Sequence, residues 1–163
     1  MQSPTLSIVH TVDRVATLIE DNIRPSFAMR HNGDPEVPIP TEMLVHRFLT
    51  WEAGWSAGYS EQVGIYVHVS TRGLSGNPET GEMFRGGPDL NVGFVVRCHR
   101  ERAESGTRLA AYVMEALWDI AEANGFAPHG HNFTTWGKPD SVDWGASGTV
   151  LFGPLDGAPG KSW

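Results

Sequence analysis

The sequence predicts an α+β fold: a small, mostly antiparallel sheet packed by an N-terminal helix and a second helix, with one long hairpin loop. Three observations carry this expectation. Residues 62–70 and 90–99 alternate apolar and polar side chains with the period of a half-buried strand. An N-terminal stretch and a stretch beginning at Ser105 instead repeat apolar residues every three or four positions, which is the period of one helix face. The chain has 163 residues, of which 40% are hydrophobic, so it is the size of one domain and can bury a core.

Ser3 and Pro4 read as an N-cap followed by a first-turn proline. Leu6, Val9, Val12, Ala16, Ile19 and Ile23 then form one stripe, and the helix is expected to end near Arg24 because proline follows at position 25. Residues 26–40 carry Asn32-Gly33-Asp34 and three prolines, the composition of an irregular crossing. Residues 44–51 are apolar and aromatic enough for a first strand. In the strand over 62–70, Val63, Ile65, Val67 and Val69 share a face. In the strand over 90–99, Leu90, Val92, Phe94, Val96 and Cys98 share one, while Val95 joins Asn91, Gly93, Arg97 and His99 on the other.

Between these strands, residues 71–89 contain five glycines and two prolines. A connection this long and this poor in burying residues is usually functional or disordered. Ser105 is positioned to cap the second helix and Gly125 to stop it just after Asn124, with Leu109, Tyr112, Val113, Ala116, Leu117 and Ile120 as the face toward the sheet. Trp118 lies beside that stripe. From Phe126 onward 11 of 38 residues are Gly or Pro, so only short strands are expected, the best being 149–152. Residues 153–163 read as a C-terminal tail, and the whole chain as one domain.

Charge and motifs remove several function classes. Lys and Arg total 12 against 19 Asp and Glu, a net charge of -7, which repels a phosphate backbone and argues against nucleic-acid binding by the surface as a whole. The basic cluster is Arg97, His99, Arg100 and Arg102. The single cysteine, Cys98, cannot form an internal disulfide. No signal peptide and no apolar run of membrane-spanning length is visible, so folding in a cytoplasm is expected.

Gly54-Trp55-Ser56-Ala57-Gly58 matches the nucleophile-elbow pattern, but a strand follows where that motif needs a helix. Gly157 to Ser162 resembles a phosphate-binding loop, yet Leu155 stands where its first glycine belongs and no helix can follow. His129, His131, Asp140 and Asp143, with Cys98 and His99, are metal-ligand types at no spacing that defines a closed site. No catalytic, cofactor-binding or metal residue is therefore expected, and no cofactor. Trp51, Trp55, Trp136, Trp144 and Trp163 fall in strand ends or loops. Such aromatics either close the ends of a core or anchor protein interfaces. Met83, Phe84 and Arg85, at the centre of the long loop, are interface residue types too. The expected assembly interface is thus Met83, Phe84, Arg85, Trp55, Trp136 and Trp144.

This order of elements resembles the tail terminator proteins of long-tailed bacteriophages: an N-terminal helix, a strand, a β-hairpin with a long loop, a helix across the sheet, and final short strands. The resemblance lies in Thr11-Val12-Asp13-Arg14-Val15 of the first helix, in residues 63–69, and in residues 90–97 followed by the helix over 107–121. Residues 129–163 have no counterpart in it. The resemblance implies a structural virion protein without an active site. It would form a hexameric ring at the head-proximal end of the tail, bind the tail tube protein and head–tail connector proteins, and let DNA pass through without specific recognition. Other neck or connector proteins share this layout. The rival class is a small hydrolase, using Ser56 as nucleophile or a metal at His129 and His131.

Overall fold

The computed structural model describes residues 8–48, 62–69, 76–77, 82–83 and 90–153. Helix α1 (Ile8–His31) is followed by β1 (Met43–Arg47), β2 (Gln62–Val69), the two-residue strands β3 (Gly76–Asn77) and β4 (Glu82–Met83), and β5 (Leu90–His99). A 3-10 turn (Arg100–Arg102) leads into helix α2 (Ala103–Ala123), then β6 (Ala127–Trp136) and β7 (Asp143–Gly153). Five strands form one sheet in the order β1-β2-β5-β7-β6, and β3 and β4 form a separate ribbon. β1 runs parallel to β2, and the other neighbours in the sheet are antiparallel. The α+β architecture is as the periodicities require.

α1 begins at Ile8, so the expected start at Ser3 and Pro4 lies outside the described residues, as does Leu6. The helix does not stop before Pro25 but runs seven residues further, to His31. Pro25 removes the amide that would reach the Asp21 carbonyl, a loss of about 3 kcal/mol in a helix interior. Asp21 and Pro25 both lie on the exposed side, where water can serve the released carbonyl. Continuing the helix buries Phe27 and His31, which extend the stripe of Val12, Ala16, Ile19 and Ile23. Burial of one phenylalanine alone offsets roughly 1.5–3 kcal/mol of that loss. Asn32 and Gly33 end the helix with φ values of 47 and 72°. Val9, expected on the buried stripe, is 57% exposed.

Both helices lie on one face of the sheet, where α1 covers β1 and β2 and α2 covers β5, β7 and β6. Val12, Ile19 and Phe27 of α1 and Leu109, Val113 and Leu117 of α2 meet Val63, Ile65, Val67, Val92, Phe94, Val150 and Phe152 in one core. Arg30 joins the helices with two bonds of 2.6 Å to the Asp119 carboxylate. The opposite face is not simply polar. Val95 and Tyr66, which point away from both helices, are 4% and 3% exposed. The Tyr66 ring stacks on His46 with centroids 5.0 Å apart.

Ser105 is not the cap of α2, because the helix starts two residues earlier, at Ala103, after the 3-10 turn. Its hydroxyl donates to the Glu36 carbonyl at 3.0 Å and so ties the crossing loop to the helix. The far end is as expected. Gly125, at φ +80°, donates to the Glu122 carbonyl while the Phe126 amide reaches Ala121, the paired bonds of a Schellman stop.

The C-terminal expectation needs correction: β6 and β7 are strands of 10 and 11 residues, not short ones. Their Gly and Pro have positional reasons. β6 is an edge strand, where Pro128 can sit without breaking the sheet, and the pairing shifts register between His131 and Thr134. At Gly148 a Cβ would lie 2.6 Å from the Phe94 ring, so the glycine lets a core phenylalanine lie flat across the strand.

Candidate assembly interface

Of the six expected interface residues, Trp55, Phe84 and Arg85 lie outside the described residues, and Met83 is placed by its backbone in β4. Trp136 and Trp144 are half-buried at the closed end of the β6–β7 hairpin. The Trp136 ring lies against Gly145, and the Trp144 ring against Gly137. Trp144 Nε1 donates to the carbonyls of Lys138 and Ser141, at 3.2 and 3.0 Å. These contacts fix the 137–142 turn and leave part of each ring in reach of a partner. Trp118 is half-buried, and its Nε1 donates to Glu122 at 2.9 Å.

Two residues of the basic cluster, Arg97 and Arg100, brace the same hairpin. Arg97 binds the Asp143 carboxylate at 2.6 and 3.2 Å, and Arg100 donates to the Pro139 carbonyl at 2.6 Å. His99 Nδ1 accepts from the Glu101 amide at 3.2 Å. Asp143 is thus held by a guanidinium, and Cys98 packs under Gly106 on the helix side while its neighbour His99 points to the other face. Among the described residues no group of three or more His, Cys, Asp or Glu gathers where it could hold a metal ion. Ser56 and the terminal Gly157–Ser162 segment lie outside the described residues.

Two features emerge that the sequence patterns did not mark. The first is an apolar rim at and around β1, where Ile39, Leu44 and Phe48 are 63%, 48% and 48% exposed. β1 is an edge strand of five residues, and such edges are natural sites for another chain to join. The second is a cavity of about 470 Å³ where α1 meets the end of α2. Val15, Leu18 and Phe126 supply its apolar surface, Asn124 closes one side, and Arg14 and Asp21 stand along the helix. Asp13 also lines it but is paired with Arg47, 3.3 Å away. Arg14 and Asp21 have no ion-pair partner among the described residues. Their seven-residue spacing with Leu18 between them is the signal that was present in the sequence.

The crossing loop is anchored by a small polar and aromatic cluster. Buried His31 contacts the Val37 carbonyl at 2.6 Å, stacks on Phe27, and meets the edge of Tyr112. The Tyr112 hydroxyl donates to Asp34 at 2.7 Å. That bond holds the Asp34 carboxyl below the usual range, helped by the Glu36 amide and by Arg108, and raises the Tyr112 hydroxyl. The cluster is structural in character: it pins the 32–37 segment against α2. No helix among the described residues is long and apolar enough to cross a membrane. No protein-family model matches this chain, and no characterised protein matches it significantly.

Proposed function

We propose that this chain is a structural virion protein that forms a ring on the phage tail tube and joins it to the head, as a tail terminator. The observation that supports the reading is the apolar rim of Ile39, Leu44 and Phe48 at an edge strand, opposite an edge that is protected by Pro128 and a register shift. One edge invites a neighbour and the other discourages strand addition. An apolar edge on one side alone must be covered by a different surface of its neighbour, and such head-to-tail contacts close into a ring when the rotation between copies closes and run on as a filament when it does not. The aromatic residues left half-open at the β6–β7 turn supply a further contact for the tube or connector.

Native mass measurement tests this, on the protein alone and with tail tube protein. The expected result is a closed oligomer larger than a dimer that binds the tube end. A monomer at tens of micromolar that also ignores the tube protein refutes the reading. One equivalent of bound metal, lost when His129 and His131 are replaced, would move the assignment to the hydrolase class.

A further inference from the structure

We infer that the face of β1 turned away from the helices is the docking surface for a second copy of this chain, and that Arg14, Leu18 and Asp21 on α1 of that copy lie across it. The inference rests on the assembly reading and names the contact that would build the ring. Along β1, Met43, Val45 and Arg47 stand beside Val63, Ile65 and Val67 of the core, so Leu44 and His46 take the other face. Leu44 is exposed there, and exposed Glu42 precedes it by two residues. Arg47, at the end of β1, is turned to the helix side and bound to Asp13 and Glu20 of its own chain. It therefore does not guard the edge, as charged side chains on edge strands commonly do.

The stripe on α1 matches this surface in charge, polarity and spacing. Arg14 and Leu18 are about one helical turn apart, roughly 6 Å of rise, and Glu42 and Leu44 are separated by about 6.6 Å of extended chain. Laid together, Leu18 covers Leu44 while Arg14 meets Glu42. Leu44 also reaches the apolar floor that Val15 and Phe126 add beside Leu18. Asp21, three residues beyond Leu18, falls on the side of His46, whose ring N–H can donate to a carboxylate. Arg14 and Asp21 stand in no ion pair among the described residues, and neither does Glu42. Within one protomer α1 packs on the opposite face of the sheet, so its outer stripe cannot meet the outer face of β1. The contact is therefore between copies and between unlike surfaces, the kind that can propagate around a ring.

The test uses Arg14→Glu and Glu42→Arg in the full chain, singly and combined, read by sedimentation and native mass. Each single variant should assemble about tenfold more weakly, because like charges then face each other at every contact. The double variant carries the pair reversed and should regain wild-type assembly. Leu44→Ser removes the apolar half of the contact at an exposed position. It should weaken assembly by a similar factor with the circular dichroism spectrum unchanged, and it keeps the test decisive should a charge variant fail to fold. Undiminished assembly of either the charge variants or Leu44→Ser refutes the contact and leaves the assembly reading standing. If the single variants are weakened and the double variant is not restored, the two side chains do not meet and the inference fails. If the wild type itself is monomeric with and without tube protein, the assembly reading falls and this contact with it.

Discussion

Replacing Phe27 with alanine tests whether the helix beyond Pro25 is a docked part of the core. Phe27 is 1% exposed, stacks on His31 at 5.4 Å and meets the Tyr112 ring edge-on at 6.3 Å. Removing a buried phenylalanine costs about 3–5 kcal/mol through lost transfer energy and the cavity left behind. The two ring contacts fall in the range where aromatic pairs add about 0.5–1.5 kcal/mol each, so the upper half of that interval is expected. A domain of this size is stable by about 5–15 kcal/mol, so the variant should remain folded but unfold at markedly lower urea. Urea titration followed by circular dichroism, with an unchanged slope, measures the difference. A loss below about 1 kcal/mol would mean that residues 26–31 do not pack as described. Pro25→Ala is the companion variant: restoring the amide to the Asp21 carbonyl should raise stability, and a fall would show that the helix needs the proline.

Leu117→Ala, at a fully buried position of α2 in the shared core, should cost about 2–5 kcal/mol; a loss under about half a kcal/mol on urea unfolding would place this helix face in solvent. The depressed carboxyl of Asp34 makes stability depend on acid. Its folded pKa lies below the unfolded value of about 3.9, so its contribution is complete above that value and is lost as pH falls through the folded one. Tyr112→Phe removes the largest cause and should flatten the stability profile in that acid window; an unchanged profile would show that the hydroxyl does not hold the carboxylate. Replacing residues 75–87 with a short turn should leave the β2–β5 pairing intact and weaken ring formation. Unfolding of that variant would make the segment part of the core, and undiminished assembly would make it a spacer.

Local periodicity encodes the part of this fold that was legible before the chain was folded. The alternation in β2 and β5 and the stripe of α2 are properties of single segments. Gly125 stops a helix because only glycine takes φ +80° without strain, wherever the helix lies. Other features had no local signature. Pro25 reads as a stop in isolation, and only the burial of Phe27 and His31 against Tyr112 offsets its cost. Gly145 and Gly148 of β7 read as breaks until Trp136 and Phe94 are seen to need the space they leave. Leu18 reads as an off-stripe leucine, and Arg14 and Asp21 as ordinary surface charges, until Phe126 arrives from the end of α2 and the three line one cavity. The difference is physical: periodicity follows from the geometry of one backbone segment, whereas the tolerance of a proline, a glycine or an unpaired charge is set by whatever the rest of the chain brings beside it.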